Sequence, residues 1–296
     1  MRKQQLSERD LRGLRIFRAV VEANGFAAAE RSLGMSKASI SRHIMDVEEK
    51  LGARLCERGP SGFRLTKAGQ AALEATIDAL DALDRIWPQV DATKGVLSGK
   101  VALGLCDTVL TNPGCHISRA LENLRIAGPA VELKVSTFAW DQLGQALAER
   151  RVDIAIQGWH ARETAFRHAD LFVETHMFYQ LARKGRKADT ATGKGPAPFL
   201  VYRPGQPFVE DALKKKLFVR GPEAQGLESA AALMASGACV ALLPTHYAGQ
   251  LASRFNLEEV PNMPSYSVTF SATALKSRNL PRSVEVLWDL IIDAHL

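Results

Sequence analysis

The chain has 296 residues, more than the ~100–200 of a typical single domain, so two or three units are expected. Hydrophobic residues make up 46% and charged residues 24%, the balance of a soluble globular protein. No apolar run approaches the ~20 residues that cross a bilayer, and the charged start is no signal core, so a cytoplasmic protein without membrane contact is expected.

The formal net charge of +6 is local. Residues 1–70 hold 14 Lys plus Arg against 8 Asp plus Glu, while the rest of the chain holds 24 of each sign. A basic segment joined to a neutral one suggests that the first meets a polyanion and the second has another task. Cys56, Cys106, Cys115 and Cys239 lack regular spacing and read as free thiols.

Ser7, Glu8, Arg9 and Asp10 read as a capping box, and Leu11, Leu14, Phe17 and Val21 continue at helical spacing. Asn24-Gly25 breaks this helix, a short second one follows over 26–33, and Gly34-Met35 turns the chain into a third, capped by Ser36. The third helix buries Ile40, Ile44, Val47 and Leu51 and presents Lys37, Ser41, Arg42 and Met45. Two short extended pieces around Gly59-Pro60-Ser61-Gly62 then predict a hairpin, or wing, with Arg58 and Arg64 toward phosphates. Periodicity and charge leave two readings open. One is a small helical bundle with a solvated basic face; the other is a winged helix-turn-helix whose polar front enters the major groove.

Order and spacing decide between them. Phe17, Ala19-Val20, Phe26, Leu33, Met35-Ser36, Ile40-Ser41-Arg42, Ile44, Glu48, Leu51-Gly52, Arg54-Leu55, Glu57-Arg58 and Phe63-Arg64-Leu65-Thr66 with Ala68-Gly69 resemble the LysR-type transcriptional regulators over about sixty ungapped residues. The resemblance implies sequence-specific binding of double-stranded promoter DNA. Ser36, Lys37, Ser39, Ser41, Arg42 and Met45 would face the groove, and Arg31, Arg58, Arg64 and Thr66 would touch the backbone. Ala27, Glu30, Lys37-Ala38 and Cys56 depart from the family's usual residues, so the operator sequence does not follow; Lys37 can reach a guanine or a phosphate.

Thr66 is expected to cap a long helix that Pro88 stops near Trp87, with Leu73, Ile77, Leu80, Leu83 and Trp87 as its apolar stripe. The stripe can pack on its own domain or, as the resemblance implies, pair with a second subunit, giving a dimer or tetramer. The expected division is a winged helix-turn-helix over 1–65, a linker helix over 66–88 and a hinge over 89–98. An effector lobe follows over 99–168 and 265–296, and a second lobe over 169–264.

Beyond the hinge, strands at 101–105, 131–135 and 152–156 alternate with helices at 113–126 and 141–149, which predicts a parallel α/β sheet with ligands at the strand ends. A strand at 177–182, a Gly/Pro-rich loop at 185–198, a strand at 199–202, the run 217–219 and the stretches 226–236 and 237–244 make the second lobe; a helix over 282–294 ends the chain. The stretches 150–156 and 226–244 resemble the LysR family, which implies an α/β protein overall, with two lobes like those of periplasmic binding proteins and a small-molecule effector between them. Loops after the strands nominate Cys106, Asp107, Thr108, Thr137, Phe138, Gln157, Trp159, Tyr202 and Arg203. Thr108 matches a position where the family often contacts ligand. Arg203 can pair with a carboxylate, while Asp107 disfavours a simple anion and points to a zwitterionic, polar or aromatic effector.

No phosphate loop, His-Glu-x-x-His or nucleophile elbow occurs, so neither an enzyme nor a catalytic residue is expected. His160, His168 and His176 recur every eight residues, which is no metal-site spacing; no metal or cofactor is expected. Oxidation sensing through Cys106 and Cys115 is the alternative mode of regulation.

Overall fold

In a computed structural model, residues 5–59, 62–158, 162–182, 198–276 and 280–296 are described. The chain divides into two compact units, Met1–Gln89 and Val90–Leu296.

The first unit opens with α1 (Glu8–Glu22), α2 (Phe26–Leu33) and α3 (Lys37–Leu51), followed by strands β1 (Cys56–Gly59) and β2 (Gly62–Leu65). At the start of α1 the box closes as expected: Ser7 Oγ accepts from the Asp10 amide at 3.3 Å, and Asp10 Oδ2 accepts from the Ser7 amide at 2.8 Å. Such a cap is worth about 1 kcal/mol. Phe17, Val20, Ala29, Ile40, Ile44, Val47 and Leu55 form the core. Leu51, assigned to the buried face of α3, is instead 44% exposed, because the helix ends there and Gly52 turns the chain away in the left-handed region. β1 and β2 pair antiparallel from Cys56–Leu65 to Gly59–Gly62. Gly69 presses on this hairpin so closely that a Cβ there would lie 1.8 Å from the Leu55 carbonyl oxygen.

Thr66 caps α4 (Lys67–Asp84), but this helix does not run to Trp87. It ends at Arg85, and α5 (Ile86–Ala92) begins at once with Pro88 in its first turn. Proline is tolerated there because the first-turn amides of a helix have no intrahelical acceptor, so Pro88 starts a helix rather than stopping one. The irregular segment is therefore only 93–97, shorter than the expected hinge.

The second unit contains β3 (Ser98–Cys106), a 3-10 turn (Val109–Thr111), α6 (Ile117–Ala127), β4 (Ala130–Phe138), α7 (Leu143–Ala148), β5 (Ile154–Gly158), β6 (Phe166–Leu181), β7 (Phe199–Tyr202), α8 (Pro207–Lys214), β8 (Val219–Glu223), α9 (Gly226–Ala235), β9 (Ala241–Pro244), α10 (Thr245–Leu251), β10 (Leu257–Glu259), β11 (Tyr266–Leu275) and α11 (Arg282–His295). The main sheet is mixed rather than parallel. β3 pairs parallel with β4 and β5, whereas β11 lies antiparallel to β5 and β6, and β6 lies antiparallel to β9 and β10.

The cause is the length of β6. Its 16 residues begin near Phe166, not at Met177, and span two cores. Phe166 and Phe172 pack with Leu103, Ile156 and Trp288, while Phe178 packs with Leu200, Val240 and Leu242. β11 crosses beside it, with Phe270 and Ala272 in the first core and Tyr266 against the second. Two antiparallel strands thus run continuously through both lobes, and residue 168, the expected limit of the first lobe, lies inside β6.

Candidate DNA-facing helix and effector cleft

α3 separates its two tasks by helical periodicity. Ile40, Ile44 and Val47 are buried, Lys37, Arg42 and Met45 are exposed, and Ser39 and Ser41 are half-exposed. Met45 is 59% exposed, an apolar side chain with no core to enter. Its amino end is closed by two acceptors: Ser36 Oγ takes the Ser39 amide at 3.2 Å, and Glu30 Oε1 takes the Lys37 amide at 3.1 Å. The carboxylate on α2 thereby fixes where α3 starts. Ser41, Arg42 and Met45 line a broad surface hollow together with Arg54 at the foot of the hairpin.

The nominated backbone contacts are placed unequally. Arg31 and Arg64 are exposed. Thr66 is not free: its hydroxyl donates to the Arg54 carbonyl at 2.6 Å and accepts from the Gly69 amide at 2.9 Å, so it holds the start of α4. The side chain of Arg58 lies outside the described residues. Glu48, part of the family pattern but given no role from sequence, accepts the Leu55 and Cys56 amides on Oε1 at 2.7 and 3.4 Å and anchors the hairpin to α3. A carboxylate one residue after the buried Val47 gave no periodic signal.

In the second unit, a narrow cavity of about 40 Å³ lies between the lobes, lined by Cys106, Asp107, Glu174, His176, Arg203 and Phe270 among others. Asp107 follows β3, yet its Oδ2 accepts the Leu227 amide at 2.7 Å in the first turn of α9, so one lobe caps a helix of the other. Arg203 is 7% exposed, and its guanidinium makes no hydrogen bond or ion pair among the described residues. Burial pulls its pKa below the ordinary guanidinium value, opposed by Asp107, Cys106, Glu174 and Asp141.

Glu174 sits between two histidines. Its Oε2 accepts from His246 Nε2 at 2.8 Å, and Oε1 lies 3.1 Å from His176 Nε2. His246 Nδ1 is 2.6 Å from the Thr111 hydroxyl. Burial pushes the Glu174 carboxyl up, but the hydrogen bonds from His176 and His246 outweigh it and hold its pKa below the usual value.

A second pocket of about 490 Å³ adjoins the cavity and shares Trp140 and Gly158 with it. Gln157 lines it, with an Oε1 that is buried and without a hydrogen-bond partner. The structure therefore gathers Cys106, Asp107, Gln157 and Arg203 around one cleft. Thr108 lines neither space, although its hydroxyl is also buried and unpartnered.

The other nominated residues lie elsewhere. Thr137 is exposed on β4, and Phe138 ends that strand under the Arg151 guanidinium. Tyr202 turns away because its hydroxyl donates to Glu210 at 2.8 Å and Arg220 lies over its ring. Trp159 and His160 fall outside the described residues. The missed residues Glu174 and His176 did carry a signal. On β6 they share one buried face with Phe172 and Phe178, at every second residue, so two ionisable side chains occupy the inward register of a strand.

Cys106 is buried, and burial, followed by the charge of Asp107, pushes its thiol well above the ordinary value. Cys115 is raised as well, chiefly by burial. A redox-sensing cysteine needs the opposite shift, toward thiolate.

Comparison with known proteins covers both units. Residues 11–70 match the model described as bacterial regulatory helix-turn-helix protein, lysR family, and residues 94–295 match the LysR substrate binding domain. The chain is 28% identical over 283 residues to the HTH-type transcriptional activator BauR of Pseudomonas aeruginosa, covering 93% of this chain and 92% of that protein. Among solved structures it resembles a full-length OxyR variant from Pseudomonas aeruginosa, with TM-score 0.64 and 21% identity over 97% of this chain and 95% of that one. It also resembles full-length CbnR complexed with its target DNA, with TM-score 0.61 and 19% identity over 96% of this chain and 99% of that one.

Proposed function

Because this chain belongs to the LysR family of bacterial transcriptional regulators, we propose that it binds operator DNA through the front of α3 and adjusts that binding when a small molecule enters the cleft between its lobes. The observation that carries this reading is the joint occurrence of a helix with an exposed, mostly polar front and a cleft holding an unpaired buried arginine. Ser36, Lys37, Ser39, Ser41, Arg42 and Met45 face the groove; Arg31 and Arg64, with Arg58, track the phosphates. Thr66 acts through the geometry of α4. A regulator rather than an enzyme is the better reading, since the cleft carboxylates Glu174 and Asp107 are committed to histidines and to a helix end. Its DNA target places it in the cytoplasm, and no described helix is long and apolar enough to cross a membrane.

Self-association through α4 and α5 accompanies this reading. Ile77 and Leu80 are buried within the single chain, whereas Leu83, Ile86, Trp87 and Val90 are exposed, Trp87 at 74%. A second copy of the chain would cover them and set two copies of α3 on two half-sites. A cleft ligand regulates only if it favours one arrangement of lobes and subunits over another. Asp107 reaching α9 and Thr111 reaching His246 are contacts that such a ligand would remake.

Purified protein incubated with fragments of the source organism's DNA tests the reading. Recovery of a short imperfect palindrome, weakened steeply by salt, is expected. Recovery of fragments without common sequence would contradict it.

A further inference from the structure

The charge of the cleft restricts what can occupy it; the inference rests on the cleft being the effector site. Arg203 is more than nine-tenths buried, lines the inner cavity, and has no described partner. Asp107 and Glu174 offset the cost of burying this guanidinium only from a distance, without a hydrogen bond or ion pair to it, and an entering carboxylate would supply that direct contact. A simple anion does not suit the site, however. Asp107 and Glu174 line the same 40 Å³, so an anion would add a third negative charge beside one guanidinium. Glu174 is engaged on both oxygens by His176 and His246. Asp107 spends only Oδ2, on the Leu227 amide, and its other oxygen has no described partner. The adjoining pocket continues the bias. Among the described residues its charged lining is Asp141 and Glu163, without a lysine or arginine.

We propose that the effector is a small zwitterion, with one carboxylate seated on Arg203 and one cationic nitrogen held by the free oxygen of Asp107, the remainder extending past Trp140 into the acidic outer pocket. Carboxylate and nitrogen complete the two half-satisfied charges of the cavity at once, which neither does alone. Because Asp107 also holds the first turn of α9, a nitrogen bound there acts directly on a contact between the lobes.

Thermal melting of the full-length protein tests this with a defined panel. The panel comprises α- and ω-amino acids of two to five carbons, the same skeletons without nitrogen, and the alkylamines without a carboxylate. A low-molecular-weight extract of source cells is included as a separate arm. At least one amino acid is expected to raise the melting temperature, with its matched acid and amine inactive. Arg203→Met should abolish that shift and Arg203→Lys, which keeps the charge but not the paired donors, should weaken it; an arginine that is only structural would change the melting temperature of the free protein and leave the amino-acid shift in place. Asp107→Asn, which keeps an acceptor for Leu227, should weaken the amino acid about tenfold or more. Equal shifts from acids lacking nitrogen, or from amines lacking a carboxylate, would overturn the proposal. An inert panel beside an extract that acts through Arg203 would also overturn it while leaving the cleft as effector site. If neither panel nor extract shifts the melt, both readings fall.

Discussion

The front of α3 and the cleft between the lobes are both lined by polar side chains, but they are built in different ways. On α3 the residues that fold the helix and those that face outward alternate within a single stretch of 15 residues. Its caps come from Ser36 and from Glu30, seven residues before the amide it accepts. In the cleft, Asp107 meets an amide 120 residues away, and Thr111 meets His246 across 135. The helix front can therefore be assembled before the rest of the chain is in place, whereas the cleft exists only after both lobes have closed on β6 and β11. The two sites should therefore fail separately. Damage to local packing removes DNA binding and spares the cleft, and loss of a long-range charge network does the reverse.

The sharpest way to break this separation is Gly69→Ala. The added carbon would lie 1.8 Å from the Leu55 carbonyl oxygen, with backbone on both sides, so the hairpin and α4 must move apart. A cost of about 3 kcal/mol or more is expected in the first unit. DNA binding should disappear while small-molecule stabilisation of the second unit survives, as followed by melting of each unit. Simultaneous loss of both would contradict the separation.

A smaller effect is expected at Glu174. Its pKa is lowered by His176 and His246, so its ionised form stabilises the fold. That contribution is complete above the ordinary glutamate value of 4.5 and is lost as pH falls through the lower folded-state value. His176, His246, Asp107 and Arg203 are the charged or ionisable groups that surround Glu174. Denaturant unfolding from neutral pH downward should therefore show a steeper loss of stability below about pH 4.5 in the unaltered protein than in Glu174→Gln. Identical profiles would show that the network contributes nothing.

Glu30→Ala should cost least, about 1 kcal/mol, by removing one of the two acceptors at the start of α3. It should lower the melting temperature of the first unit slightly and leave the pH profile of the second unchanged. A change in that profile would couple sites that the structure builds independently.

The same contrast explains what could be read in the chain before its structure. The capping box at Ser7 and Asp10, the turn at Gly34 and the buried series Ile40, Ile44 and Val47 depend on residues a few positions apart, so periodicity exposes them. Pro88 misled because proline both ends helices and begins them, and only the position of the preceding break at Arg85 separates the two. β6 was cut short because its first half, Phe166 to Val173, mixes charged and apolar residues while crossing between lobes, whereas the apolar run near Met177 stood out. In the cleft, Asp107 and Arg203 were legible as charges in loops after strands. Tyr202 was nominated with Arg203, but Tyr202 ends β7 and Arg203 lies just beyond it; Tyr202 is held toward Glu210 and Arg220. Glu174 and His176 were legible as a pair two apart on one strand face, but His246 joins them only through tertiary pairing that no spacing reports.

The most direct test of the account is base discrimination by the front of α3. Binding of the unaltered protein and of Arg42→Ala to a selected operator and to a scrambled one should be measured by fluorescence anisotropy over a range of salt. Arg42 is exposed, so the variant should fold normally. It should lose about 1–3 kcal/mol of preference for the operator, while the salt dependence falls by no more than about one phosphate contact. Undiminished discrimination by Arg42→Ala would contradict the assignment of this helix face as the reader of DNA sequence.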